Sequence, residues 1–292
     1  MDDGQAAVDE DAMLQPGDVI KRHRLSTRIW HWTNALTLLV LLMSGLMIFN
    51  AHPRLYWGQY GANDDAAWLV IDDAGDTGFI ELAGLRVETT GVLGIWENAE
   101  GEIDRRAFPY WITIPSGYDL ETGRRWHFFF AWIFALALTA YMVRSAWNGH
   151  IKRDLHIRHR EWSPKHIWHD IKDHARLRFP TGSTAKDYNI LQKISYISII
   201  FILLPLMIFT GLSMSPAMNA AWPWLLDIFG GRQSARSIHF ICAFGLVMFF
   251  LVHIIMVALA GPINEVRSMI TGRYRLPGKH ESGPEIPQGE VA

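Results

Sequence analysis

SIHFICAFGLVMFFLVHIIMVAL, residues Ser237 to Leu259, runs for 23 residues without a charge. At 1.5 Å of rise per residue that is enough helix to cross a hydrocarbon core about 30 Å thick. Two histidines stand inside it, His239 and His253, 14 residues apart. The interval corresponds to about 21 Å of axial rise, and 14 steps of about 100° bring the second ring back to within about 40° of the first. A titratable ring in lipid is costly and marks function by default, so two on one face ask for partners. Imidazole suits soft-to-borderline metals and is an axial ligand of b-type haem iron. The stretch therefore predicts a membrane helix that gives one ligand to each of two haems, one near each membrane face.

Composition agrees with a membrane protein. Half of the 292 residues are apolar, with 13 Trp and 15 Phe, and they gather into blocks. The net charge of −2 gives no basic field for nucleic acid. The one cysteine, Cys242, rules out an internal disulfide, a cysteine-held iron–sulfur cluster and a C-x-x-C-H attachment motif, so any haem is held without thioether bonds. Cys242 itself reads as a small packing residue.

Residues 1–20 are acidic and polar and are expected to be a disordered cytoplasmic tail. The basic cluster Lys21, Arg22, Arg24 and Arg28 precedes an apolar run too long and too late for a signal peptide, which predicts an uncleaved first membrane helix over about 29–49. It opens with RIWHW, so His31 stands between the belt tryptophans Trp30 and Trp32. On its own that is an ordinary interfacial histidine. Gly45, in MSGLM, is a point where another helix or a flat ring can approach.

Residues 50–125 carry 13 acidic side chains against six arginines and no lysine. Short runs such as LRVETTGVLGIWE, broken by glycines, predict a small strand-containing subdomain inserted between the first two membrane helices, a docking surface or a plain cap. His52 reads as an exposed loop histidine. The second membrane helix, about 126–147, opens with RWHFFFA, which aligns with SIHFICA and sets His127 on His239. A weak two-plus-two repeat is implied. The 148–189 loop is basic, and SPKHIWHDIKDHARL, from Ser163, reads as an amphipathic surface helix rather than a metal site. The third membrane helix, about 190–214, has no histidine, a kink-prone Pro205 and a second close-approach point at Gly211. Trp222, Pro223 and Trp224 look interfacial, and the fourth helix covers 237–259.

With four helices, the two termini and the 148–189 loop share one side and hold 17 Lys and Arg, against 8 on the other. The positive-inside rule makes the first side cytoplasmic. His31 and His253 then lie near the cytoplasmic face, and His127 and His239 near the outer face. These four of the 13 histidines lie in membrane helices and sort by depth into two pairs.

RIWHW in helix one, R-W-H in helix two and the histidine pair of helix four together resemble the bacterial di-haem cytochrome b subunits of nickel–iron hydrogenase, formate dehydrogenase and thiosulfate reductase, the cytochrome b561-type group. The resemblance covers about residues 21–275 and leaves 276–292 as a cytoplasmic tail. It implies an all-α, four-transmembrane-helix bundle, and the long extracytoplasmic insertion at 50–125 is where this chain departs from that family. The resemblance also implies two non-covalent, bis-histidine haem b groups held by His31 with His253 and by His127 with His239. Quinone is implied near the inner haem, and a periplasmic molybdenum- or other metal-dependent oxidoreductase as the catalytic partner.

The expected role is electron transfer in the bacterial inner membrane between that partner and the quinone pool, with no catalytic side chain. Arg28, Arg125 and Arg236 are candidates for pairing haem propionates or, equally, for snorkelling to headgroups. His150, Lys152 and His156 are candidates for proton exchange with quinone. Two other readings stay open: a stand-alone superoxide:quinone oxidoreductase, and a haem-free membrane anchor.

Overall fold

The computed structural model describes residues 17–147, Trp168 and 190–276. The predicted surface helix from Ser163, the proton-exchange candidates His150, Lys152 and His156, and most of the two tails lie outside the described residues.

Four helices are long and apolar enough to cross a membrane: Leu25–Phe49, Leu120–Trp147, Lys193–Met214 and Arg232–Leu259. We number the first two α1 and α2. The third spans α3 (Ile190–Ser198), a π-helical turn (Ile199–Leu203) and α4 (Leu204–Met214). Two short helices, α5 (Pro216–Ala221) and α6 (Pro223–Ile228), lead to α7 (Arg232–Leu259), and α8 (Pro262–Thr271) follows. The first, second and fourth begin four to six residues before the apolar runs predicted for them, because a helix continues past the hydrocarbon wherever polar residues still favour it. The π turn ends at Leu203, two residues before Pro205, whose missing N–H and bulky ring upset the ladder of the preceding turn. Large apolar side chains on these helices, among them Leu36, Phe129, Leu136 and Phe244, are exposed, as a lipid-facing surface requires.

The all-α expectation fails outside the membrane helices, for a reason the insertion's own sequence contains. Leu69 and Ile71 alternate with more exposed neighbours in strand β3 (Leu69–Ala74), the period-2 pattern of a sheet with one buried face. β2 (Arg54–Leu55), β3, β4 (Thr77–Leu82) and β5 (Leu85–Glu88) form an antiparallel sheet in that order. The turn between β4 and β5 uses Ala83 and Gly84 at φ 49° and 85°, both left-handed as a tight type I′ hairpin demands. β6 (Gly94–Glu97) pairs with β7 (Ile103–Arg106). The strand-containing subdomain predicted for 50–125 is therefore present.

The chain packs as two compact units. In the larger, residues 32–151 and 196–250, the insertion is fastened to the helices. Phe49, Leu55, Leu69, Ile71 and Ala107 form one buried cluster, with Trp68 and Phe240 against it. Ser237 Oγ donates to the Tyr56 carbonyl at 2.6 Å and accepts from Trp68 Nε1 at 2.9 Å. The Gly58 carbonyl accepts from the Gln233 and Ser234 amides at 3.0 and 3.1 Å, taking two of the N–H groups that the first turn of α7 leaves without helical partners. Gly231 permits this approach: a Cβ there would lie 2.6 Å from that same carbonyl oxygen.

In the smaller unit, residues 1–31, 152–195 and 251–292, β1 (Val19–Lys21) pairs antiparallel with β8 (Arg273–Arg275). The polar tail expected over 1–20 gives way to this strand at Val19. Arg22 bridges to Glu265 of α8 at 3.0 Å and lies over the Tyr274 ring at 4.4 Å.

Candidate functional site

Helix α2 presents His127 toward α7, whose second turn carries His239. Their ring centroids are 6.4 Å apart. Each ring rests on a glycine of another helix: a Cβ on Gly45 of α1 would lie 3.4 Å from His127 Cε1, and one on Gly211 of α4 would lie 3.5 Å from His239 Cε1. The residue before each glycine carries a hydroxyl. Ser44 Oγ lies 3.1 Å from His127 Nδ1, and Thr210 Oγ1 lies 2.9 Å from His239 Nδ1.

The direction of these two bonds follows from what the hydroxyls already do. Ser44 gives its hydrogen to the Val40 carbonyl at 2.6 Å, and Thr210 gives its own to the Leu206 carbonyl at 2.5 Å. With the hydroxyl hydrogen committed, the oxygen accepts, so each imidazole donates Nδ1–H. Nε2 then keeps its lone pair, the form in which imidazole binds a metal. Sequence reasoning found both glycines and missed both hydroxyls. The Ser-Gly and Thr-Gly pairs in helices one and three were the available signal.

In the smaller unit His31 and His253 form the second pair, with centroids 6.3 Å apart. A metal–imidazole bond is about 2 Å, and the centre of a five-membered ring lies roughly 1.15 Å from its atoms at ordinary bond lengths. One metal ion between two Nε atoms therefore sets the centroids roughly 6.3 Å apart. Both pairs match that spacing. Among the described residues no group of three or more His, Cys, Asp or Glu side chains gathers, so each pair offers two ligands. Two axial ligands suffice where a macrocycle supplies the remaining four, which is the coordination of haem iron.

The three candidate arginines diverge. Arg28, three residues before His31, donates to the Ile270 carbonyl, and its Nε is buried without a hydrogen-bond partner. Arg236, three residues before His239, donates to the His52 carbonyl. Arg125 instead turns to the surface, where it pairs with Glu121 and both side chains are 74% exposed. Residue 125 stands two positions from His127, which on a helix is a different face.

His52 is not the exposed loop histidine expected. It is half-buried, its ring stacks on Tyr56 at 5.7 Å, and its Nε2 is buried with no hydrogen-bond partner. Burial first, then the Arg236 and Arg54 charges, hold this imidazole below its usual pKa range. His23, outside the first membrane helix, is likewise pushed down by burial and then by Arg22.

A family model described as prokaryotic cytochrome b561 matches residues 22–272, taking in all four membrane helices and both histidine pairs. The chain belongs to the prokaryotic cytochrome b561 family. Members of this family bind haem b; both pairs fit that group by spacing, and the His127–His239 pair also by tautomer. This cytochrome b561 chain is thus a multi-pass membrane protein, as its four apolar helices require. It is also similar to a protein of Azospira oryzae named "Putative protein-methionine-sulfoxide reductase subunit YedZ1", with 28% identity over 154 residues, 52% of this chain and 74% of that one. No solved structure matches.

Proposed function

We propose that this cytochrome b561 carries two b haems per chain, one on His31 and His253 and the other on His127 and His239, and passes electrons between the quinone pool and a periplasmic oxidoreductase. The observation that carries this reading is the pair of centroid spacings, 6.3 and 6.4 Å. When bound, haem b supplies a one-electron iron couple. The protein's part is to hold and tune it. Ser44 and Thr210 fix the Nδ1–H tautomers of His127 and His239 and raise their basicity as ligands. Gly45 and Gly211 let two further helices close on those rings.

The 14-residue separation of His239 and His253 amounts to about 21 Å of helix, which supports one haem near each membrane face. The positive-charge count supports the cytoplasmic side of a bacterial inner membrane for His31 and His253, and with them quinone, with both termini inside. The similarity to YedZ1 supports a partner that reduces its substrate, in which case electrons leave quinol for the periplasm.

Single alanine substitutions test the pairing. In potentiometric titration His31→Ala and His253→Ala each lose the same haem transition, and His127→Ala and His239→Ala each lose the other. Loss of one shared transition in His31→Ala and His127→Ala would overturn the assignment.

A further inference from the structure

Arg236, in the larger unit, stands one helical turn before His239 and has few protein partners. Arg54, Arg86, Arg105 and Arg125 each lie within ion-pair distance of a carboxylate. Among the described residues no acidic side chain lies that close to Arg236. Its guanidinium is only partly exposed, gives one hydrogen bond to the His52 carbonyl and lies over the Phe49 ring at 5.4 Å. A half-buried charge held by one backbone acceptor and a ring face leaves most of its five donors unused.

Beside it is a second unused group, His52 Nε2, buried and without a partner. The His52 ring is fixed from two directions, by its stack on Tyr56 and by the bond its own carbonyl accepts from Arg236. Two polar groups that lack the same kind of partner, an acceptor, and that stand side by side, define a seat for an anion. A carboxylate meets both, because its two oxygens accept from a guanidinium and from an imidazole N–H at once.

Where the seat lies decides which carboxylate. Arg236 precedes His239 by three residues, about one helical turn on nearly the same face. Phe49, under the guanidinium, follows Gly45 by four residues, again one turn, and Gly45 is where the His127 ring rests. Both sides of the seat are thus one turn from the two halves of a single histidine pair.

The geometry points to Arg236 and His52 as the seat for a propionate carboxylate of the haem held by His127 and His239. The inference rests on the haem reading above and adds His52 to it. The low pKa of His52 agrees, since a neutral imidazole with Nδ1 elsewhere engaged or solvated can still donate Nε2–H to an anion. The competing source of an anion here is a lipid headgroup phosphate.

The test uses the full-length chain with His31→Ala and His253→Ala, so that only the His127–His239 pair loads. This apoprotein is titrated in detergent with haem b and with its propionate dimethyl ester, which has the same ring and iron but no carboxylate. The ester is expected to bind about tenfold or more weakly, the scale of one lost charge-assisted hydrogen bond. That preference disappears in Arg236→Gln and shrinks in His52→Phe, which keeps an aromatic ring over Tyr56. Equal binding of the two forms before either substitution would overturn the proposal, as would a preference that survives both substitutions. Loss of a co-purifying phospholipid in Arg236→Gln, without any haem preference, would assign the seat to a headgroup instead. Binding of neither form would count against the haem reading itself.

Discussion

Ser44 and Thr210 do the same work on two different helices. A serine or threonine in a membrane helix ordinarily closes its hydroxyl on the carbonyl four residues back, and both do so here. That bond turns the oxygen into an acceptor and makes it a fixed partner for Nδ1–H of His127 in one case and His239 in the other. Beyond the glycine that follows each, the sequence does not show what these hydroxyls meet, because the partner ring comes from a segment 83 residues away in one case and 29 in the other. Partners of this kind are worth about 10- to 100-fold in metal affinity. Ser44→Ala and Thr210→Val are each expected to weaken retention of the His127–His239 haem by that order and to raise its midpoint potential, since a less basic imidazole stabilises ferric iron less. The His31–His253 haem keeps its potential. Dialysis against apomyoglobin with spectral readout, followed by redox titration, measures both, and an unchanged outer haem would remove these hydroxyls from the site.

Among the elements, the membrane helices were legible from apolar runs and their spacing, and the insertion's strands from period-2 alternation and glycine breaks. Their joins were not. The helices extend past the predicted starts, a π turn appears before Pro205, and the first turn of α7 is completed by the Gly58 carbonyl. The last of these depends on a contact between segments far apart in sequence. The close approaches at Gly45 and Gly211 were foreseeable as small residues in apolar helices, although the objects approaching them are the ligand rings. A single added methyl at Gly45 would sit 3.4 Å from the ring, which a small shift absorbs, whereas a branched side chain has no room. Gly45→Ala is expected to keep both haems. Gly45→Ile, with an overpacking cost of about 1–3 kcal/mol, is expected to displace His127 and to lose the outer haem alone in the reduced absorption spectrum; retention of both haems would show that the contact is loose.

For the molecule as a whole, the decisive signal was the sorting by depth of four histidines on the first, second and fourth membrane helices, and the described residues bring those four together in two pairs. The antiparallel match of Val19–Lys21 with Arg273–Arg275 adds a constraint that the sequence did not advertise. Short polar strands of three residues carry too little pattern to be read in advance. Arg125, by contrast, looked equivalent to Arg28 and Arg236 by position near a ligand, and its helical phase sends it to Glu121 instead.

The central claim is that each chain provides two complete bis-histidine haem sites. Pyridine haemochrome analysis of the full-length protein, purified after haem-replete expression and quantified by amino-acid analysis, measures this directly. The account predicts two haem b per chain, both low-spin; one haem or none per chain would contradict it.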